Sequence, residues 1–194
     1  GSNTGFVWSL ERSSGDGTPE LKWSSTNVYH EVSGGKPIYD FTILDGIFDE
    51  YKAAGVVPMV ELGFMPKDLT SGTNEYQVHY PGRTTSGSVQ APPKDYAKWQ
   101  ELVRVVTAHL VQRYGAATVK GWYFEVWNEP NLDFWAGDPH QATYFELYDH
   151  TARDLKAVSP RVRVGGPSTA QAAWADAFIQ HCADNKIPVD FVSS

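Results

Sequence analysis

The sequence predicts an α/β fold built on a parallel sheet. Short apolar segments of strand length alternate with long amphipathic helices along most of the 194 residues, which is typical of a sheet covered by helices. No glycine-rich phosphate-binding turn follows any predicted strand, so the pattern gives little support to a nucleotide site. Two architectures fit the alternation: a doubly wound open sheet and part of an eight-stranded (β/α)8 barrel.

The first half of the sequence predicts two strands, one helix and two long loops. Residues 5–10 predict a strand, and residues 11–39, rich in Gly, Ser, Thr and Pro, predict mainly a loop. Asp40 is placed to cap a helix that ends at Gly55. Residues 56–64 predict the next strand, and residues 66–93 predict a second polar loop.

The second half continues the alternation more regularly. Asp95 opens a helix whose apolar residues follow a 3-4-3-4 spacing until Gly115 stops it. Later elements are a strand over 121–127, a helix that stops at Pro160, a strand over 161–166, a helix around Phe178 and a strand over 188–192. The segment contains no internal repeat and no linker.

Composition excludes several classes of partner. Sixteen basic residues face 23 acidic ones, a formal charge of −7, which argues against nucleic acid or an anionic membrane as the main partner. No apolar run approaches the length of a membrane span. The six histidines show no metal-ligand spacing, so we expect no metal site. Aromatic residues make up 13% of the chain; most must pack the core, but exposed rings also suit the C–H face of a sugar.

In both architectures the catalytic and ligand-binding residues lie at the C-terminal ends of the strands, where each strand is followed by a loop. This rule selects residues 61–64, 127–129 and 165–168. Glu129 stands out because it directly follows an apolar strand and precedes Pro130. It suits a general acid, although a solvated loop carboxylate or a helix cap would occupy the same position.

Two further glutamates, Glu125 and Glu61, could be either catalytic or structural residues. Glu125 alternates with Trp127 and Glu129, so within a strand the three side chains would point to one side. Burying Glu125 in a barrel would require a basic partner. Glu61 also lies within a strand. Either residue could be a second catalytic carboxylate, but a buried structural acid is the commoner case.

Taken together, several segments closely resemble glycoside hydrolase family 39. These are FTILDGIFDEYKAAGVVPMVELGFMPK, APPKDYAKWQELV, FEVWNEPNLDFW and VGGPS followed by PVDFVSS. The family includes β-xylosidases and α-L-iduronidases and belongs to a clan of retaining (β/α)8-barrel glycosidases. The resemblance implies a TIM-barrel fold, a carbohydrate substrate such as a xyloside, and no metal or organic cofactor.

The resemblance also implies roles for individual residues. Glu129 matches the acid/base glutamate, and Asn128 matches a neighbouring amide that binds the sugar 2-hydroxyl. Trp135 and the loop carrying His79 and Tyr80 would flank the sugar, and the strand-end rule adds Phe64 to the substrate-binding candidates. Asn131 resembles the xylosidase branch, since iduronidases tend to carry an aspartate there.

The family's nucleophile is a glutamate at the end of the seventh strand. The strands of this sequence resemble the second to the sixth, so residues 1–194 are expected to be one partial catalytic domain without a second domain or the nucleophile. We expect this segment alone to be inactive and to need self-association or the remainder of the barrel for stability.

The functional hypothesis is a retaining, β-xylosidase-like glycosidase. One alternative is an iduronidase-like or exopolysaccharide-degrading member of the same family. The other, from a different class, is a non-catalytic carbohydrate-binding fragment.

Overall fold

The structure, a computed structural model, describes residues 4–7, 26, 28–74 and 88–194, with residues 4–7 and 88 by their backbone alone. Two of the predicted substrate-binding residues, His79 and Tyr80, lie outside the described residues. So do residues 8–10 of the first predicted strand.

The described chain contains seven strands and five helices. The strands are β1 (Thr4–Val7), β2 (Tyr29–Val32), β3 (Lys36–Tyr39), β4 (Val57–Leu62), β5 (Tyr123–Val126), β6 (Arg163–Pro167) and β7 (Phe191–Ser193). The helices are α1 (Thr42–Ala53), α2 (Tyr96–Tyr114), α3 (Ala116–Val119), α4 (His140–Val158) and α5 (Ala175–Asn185). Short 3₁₀ turns occur at Ser88–Gln90 and Ala170–Ala172.

Five of the strands form one parallel sheet, in the order β1-β4-β5-β6-β7. Each new strand is added on the same side as the chain advances. A doubly wound sheet would instead reverse its strand order at a switch point, whereas a steadily advancing order is the winding of a (β/α)8 barrel. The topology therefore decides between the two architectures that the sequence left open.

Helix α2 shows how the sequence sets an element's limits. The Asp95 side chain accepts hydrogen bonds from the backbone N–H groups of Ala97 (2.9 Å) and Lys98 (3.3 Å), which satisfies two of the unpaired donors at a helix start. Gly115 ends the helix with a φ of 85°, a conformation that favours glycine. Both predicted limits are confirmed. None of the helices in the described ranges combines the length and apolarity needed to cross a membrane.

The expectation of a loop over residues 11–39 is wrong for its last part. Strands β2 and β3 form an antiparallel hairpin there, whose turn uses positive φ angles at Gly34 and Gly35. Glu31 of the hairpin accepts a hydrogen bond of 2.7 Å from Lys98 Nζ, so the hairpin is fastened to the start of α2. A glycine pair between two β-prone segments is a hairpin signal, and here it outweighs the loop-like composition.

A cluster of buried aromatic rings lies beneath the C-terminal ends of β4 and β5. The ring of Trp127 packs against Phe64, with centroids 5.0 Å apart, and against Trp135, with centroids 4.9 Å apart. All three side chains are buried. Because large aromatic rings dominate the energetics of packing, this cluster holds the residues that follow each strand in fixed positions.

Candidate active site

A cavity of about 350 Å³ opens at the C-terminal ends of β4, β5, β6 and β7. Its lining combines three carboxyl groups, an amide and several hydroxyl groups. The lining residues are Met59, Glu61, Glu125, Asn128, Glu129, Ser168, Thr169, Ala170, Ser193 and Ser194. The strand-end rule thus correctly selects Glu61, Asn128, Glu129 and Ser168 as neighbours in space.

Backbone hydrogen bonds join the successive strand ends around this cavity. The N–H of Trp127 donates to the carbonyl of Leu62 (3.0 Å), that of Glu129 to Ser168 (2.8 Å), and that of Ser168 to Ser193 (3.2 Å). Each bond lies at or just beyond the end of a strand and continues the pairing of the sheet. The segments that carry the polar side chains are therefore extensions of the sheet.

Glu129 occupies a left-handed backbone conformation, with a φ of 44°. For a residue with a side chain this conformation costs about 1–2 kcal/mol, and such costs concentrate at functional sites. Its carbonyl accepts a hydrogen bond of 3.0 Å from the N–H of Leu132, which fixes the turn that follows. The half-buried Glu129 side chain and the buried Asn128 side chain both line the cavity.

Asn131 links the turn after β5 to the turn after β6. Its Nδ2 donates to the carbonyl of Ala170 (3.2 Å), and its Oδ1 accepts from the N–H of the same residue (2.9 Å). A side-chain amide supplies this donor and acceptor pair, which a carboxylate cannot. Since Ala170 lines the cavity, Asn131 shapes the cavity wall from behind.

Glu61 and Glu125 lie side by side on the floor of the cavity. They are register partners on the adjacent parallel strands β4 and β5, and each side chain is only 7% exposed. Burial raises the pKa of Glu61 well above its usual value, and the negative charges of Glu125 and Glu129 raise it further. Glu61 Oε1 is buried without a hydrogen-bond partner among the described residues.

Burial also raises the pKa of Glu125, while the hydroxyl groups of Ser193 and Ser168 act in the opposite direction. No ion pair with a lysine, arginine or histidine of the described ranges holds this carboxyl, so the basic partner expected for a buried Glu125 stays a prediction. Without such a partner, a buried acid can stay neutral by keeping its proton.

The structure separates Trp127 from Glu125 and Glu129, so the expectation that all three point to one side is wrong. Strand β5 ends at Val126, and the φ of 70° at Trp127 breaks the strand alternation. The Trp127 ring turns into the aromatic cluster, where its Nε1 donates to the carbonyl of Phe134 at 2.8 Å.

Phe64 and Trp135 lie in the same aromatic cluster and are 2% and 0% exposed. Trp135 Nε1 donates to Thr143 Oγ1 at 2.9 Å. Neither residue lines the cavity described above. Their contact with a sugar stays a prediction, as do the roles of His79 and Tyr80.

Sequence reasoning did not single out Met59, Thr169 and Ser193, all of which line the cavity. A signal for two of them was present. Ser193 ends the last strand, where the strand-end rule applies again, and Met59 precedes Glu61 by two residues and so shares its face of β4.

A second depression, of about 400 Å³, lies on the outer side of helices α4 and α5, lined by residues of these two helices alone. It is remote from the strand ends and does not share any residue with the first cavity. Within the described ranges, no group of three or more His, Cys, Asp or Glu side chains is arranged to hold a metal ion. The cavity at the strand ends is the candidate site because it lies at the C-terminal ends of the strands, where barrel enzymes carry their chemistry.

The chain is similar to known proteins in both sequence and structure. The family described as Glycosyl hydrolases family 39 matches residues 21–194. The sequence is 45% identical to a β-xylosidase of Geobacillus stearothermophilus over 172 residues, which are 86% of this chain and 32% of the relative. It is 29% identical to the human α-L-iduronidase over 155 residues, 75% of this chain and 21% of the relative.

Among solved structures, the fold is similar to that of a GH39 enzyme from Xanthomonas axonopodis pv. citri. The TM-score is 0.76 at 43% sequence identity, over 86% of this chain and 31% of that enzyme. The predicted (β/α)8-type fold is confirmed for the part of the barrel described here. The chain spans about a third of the length of the β-xylosidase that it matches.

Proposed function

The chain belongs to glycosyl hydrolase family 39, and on that premise we propose that it carries the acid/base half of the active site of a retaining, β-xylosidase-like glycosidase. The observation that supports this most directly is the placement of Glu129, with Asn128 beside it, at the mouth of a polar cavity at the strand ends. Barrel enzymes bind and transform their substrates at this face.

In the proposed reaction Glu129 protonates the glycosidic oxygen of the leaving group. A second glutamate, about 5 Å away in retaining enzymes, attacks the anomeric carbon and forms a glycosyl-enzyme intermediate. Glu129 then removes a proton from the water that hydrolyses this intermediate. We assign the nucleophile to the remainder of the barrel and residues 1–194 to one partial catalytic domain, which should not turn over substrate by itself.

Substrate binding follows from the groups around Glu129. The Asn128 amide is proposed to hydrogen-bond the 2-hydroxyl of the sugar, a contact that strengthens as the oxocarbenium-like transition state forms. Phe64 and Trp135 are proposed to contribute through the aromatic cluster beneath the C-terminal ends of β4 and β5, and His79 and Tyr80 are proposed to flank the sugar from the 75–87 segment.

Among the substrate classes of the family, we propose a xyloside for this protein. The sequence is 45% identical to the β-xylosidase and 29% identical to the human α-L-iduronidase. The amide of Asn131, which an aspartate could not replace in both of its hydrogen bonds, points the same way. The rival from another class is a carbohydrate-binding protein without turnover.

The test is Glu129→Gln in the complete enzyme. Loss of the general acid should slow hydrolysis of a substrate with a poor leaving group, such as xylobiose, by roughly 100-fold or more. Glycosylation by an activated aryl xyloside needs little proton donation and should slow far less. Glu50→Gln, on the exposed side of α1, is the matched control. Equal losses on both substrates would contradict the acid/base role, and absence of turnover in the unmodified enzyme would favour the binding protein.

A further inference from the structure

We propose that Glu61 is a further substrate-binding residue, whose carboxyl group hydrogen-bonds a ring hydroxyl of the sugar on the floor of the cavity. The inference rests on the proposed function and adds a second polar contact to it, on a different strand from Asn128 and Glu129.

The position of Glu61 follows from the register of the sheet. Met59 and Glu61 share one face of β4 and both line the cavity, while Val60 and Leu62 between and beyond them are buried in the hydrophobic core. Glu61 pairs in register with Glu125, whose side chain also lines the cavity. The carboxyl group therefore lies at the bottom of the same cavity whose wall carries Glu129.

The hydrogen bonding of Glu61 is incomplete within the described structure. Its Oε1 is buried and has no partner there, and such a group normally costs about 1–3 kcal/mol. The side chain is only 7% exposed, and the open space that it borders is the cavity. Rotation about the last side-chain torsion exchanges the two oxygens at little cost, so either oxygen can be presented to a ligand in the cavity.

Burial and the acidic groups around Glu61 favour its neutral form, and hence a hydroxyl as the partner. The titratable groups that face it in the described structure are Glu125 on β5 and Glu129 just after β5, both acidic. A protonated carboxyl is both a donor and an acceptor, which matches a sugar hydroxyl. An anionic ligand group at this point would add negative charge to an acidic cluster in which no basic side chain of the described ranges acts on Glu61.

Asp154 shows what a buried structural acid looks like in the same protein. It too has an unpartnered oxygen, Oδ2. Its other oxygen, however, accepts a hydrogen bond of 2.7 Å from Arg104, and it does not line the cavity. Glu61 differs in both respects, because it has no basic partner in the described ranges and opens onto the candidate site.

The experiment couples a change in the protein to a change in the sugar. The complete enzyme is assayed with an aryl β-D-xyloside and its 2-, 3- and 4-deoxy analogues. In the unmodified enzyme, removal of the 3- or the 4-hydroxyl should lower kcat/KM by roughly tenfold. In Glu61→Met, removal of the same hydroxyl should lower kcat/KM by no more than about twofold, because this variant has no carboxyl group to bind it. Glu61→Asp, whose carboxyl group is shorter by one methylene, should also lose this deoxy penalty, whereas Glu61→Gln should retain part of the penalty.

The controls separate binding from folding. The 2-deoxy penalty, assigned to Asn128, should persist in every Glu61 variant. Asp154→Asn should lower the melting temperature and leave all three deoxy penalties in place. If Glu61→Met and Glu61→Asp both keep the 3- and 4-deoxy penalties, the inference is wrong even when Glu129→Gln behaves as an acid/base variant. Calorimetric titration of Glu129→Gln protein with methyl β-D-xyloside and its deoxy analogues, whose leaving group needs proton donation, measures the coupling as binding, so a failure of the proposed function is seen separately.

Discussion

The backbone N–H of Glu129 donates a hydrogen bond of 2.8 Å to the carbonyl oxygen of Ser168. Both residues have positive φ angles, 44° and 53°, and they lie just after neighbouring strands of the sheet. The proposed acid/base residue is therefore held by the adjacent strand as well as by its own, in a backbone conformation that few side chains adopt.

The left-handed conformation of Glu129 predicts an unusual order of stability. Glu129→Gly should be more stable than Glu129→Ala by about 1 kcal/mol, since glycine has no Cβ penalty in this region. The same pair at Glu50, inside helix α1, should show the opposite order, because glycine weakens a helix by about 1 kcal/mol. Denaturant unfolding of the four variants measures both differences, and an identical order at the two positions would count against the described backbone.

The two hydrogen bonds between Asn131 and Ala170 predict a graded loss. Asn131→Asp keeps the acceptor and removes the donor, so stability should fall by about 0.5–1.5 kcal/mol. Asn131→Ala removes both bonds and should cost more. KM should rise in the same order, since Ala170 lines the cavity. Thermal melting and steady-state kinetics test this ranking; an aspartate variant as stable as the parent would show that the donor contributes nothing.

Gly165 is predicted to be intolerant of any side chain. A Cβ at this position would lie 2.6 Å from the ring of Phe191 and would also overlap the carbonyl oxygen of that residue. Gly165→Ala should therefore destabilise the protein by roughly 1–3 kcal/mol and disturb Ser193, which follows Phe191 in β7.

Gly46→Ala provides the matched control for this substitution. Gly46 lies within α1, and beyond the backbone of that helix no described atom lies within 4 Å of the position that a Cβ would occupy. Alanine there should stabilise the protein by up to about 1 kcal/mol. A shift in melting temperature of the same sign for both substitutions would contradict the packing described for Gly165.

The raised pKa of Glu61 predicts a pH-dependent gain in stability for Glu61→Gln. Above the ordinary pKa of about 4.5 the unfolded chain releases this proton while the folded protein retains it. The native state then binds more protons than the unfolded state, so the stability of the parent falls as the pH rises. The advantage of the glutamine variant should appear above pH 4.5, grow toward the pKa of the folded state and then level off.

Glu31 should show the opposite sign. Although burial acts to raise it, hydrogen bonds from Lys98, Tyr29 and Lys94 lower the pKa of Glu31 to about 2. Glu31→Gln should therefore cost stability at neutral pH, and this cost should vanish as the pH falls from 4.5 toward 2. Denaturant unfolding across pH 3–8 measures both variants, and parallel curves for the two substitutions would contradict the assigned shifts.

Local signals in the sequence are sufficient for most of the helices and for the strands of the parallel sheet. Helix α2 was predictable because Asp95 caps it and Gly115 ends it. The β2–β3 hairpin was missed, although Gly34 and Gly35 signal its turn, because the surrounding residues have a loop-like composition. What decides barrel over open sheet is the strand order, and this depends on long-range pairing that no local pattern contains.

The candidate site was predictable where it depends on strand ends and less so where it depends on backbone irregularity. Glu129, Asn128 and Ser168 follow from the position of the strands. The rotation of Trp127 out of the strand alternation follows from a single positive φ, which no local sequence signal anticipates. The neutral state expected of Glu61 depends on burial and on the acidic groups Glu125 and Glu129 that the folded chain brings near it, and that expected of Glu125 depends on burial. The protonation state of these two carboxyl groups is therefore set by the folded structure and not by a local sequence pattern.

The backbone bonds that join the strand ends have a consequence for evolution and engineering. Trp127, Glu129 and Ser168 share one continuous hydrogen-bonded rim, so an inserted residue within it would displace carboxyl groups contributed by several strands at once. The described loops that follow this rim are joined by separate backbone hydrogen bonds, such as that from the N–H of Ala136 to the carbonyl of Gln90 at 2.9 Å. New substrate preferences should therefore arise by grafting or lengthening those loops beyond Asn131 and Ala170, while the first two or three positions after each strand resist change in length.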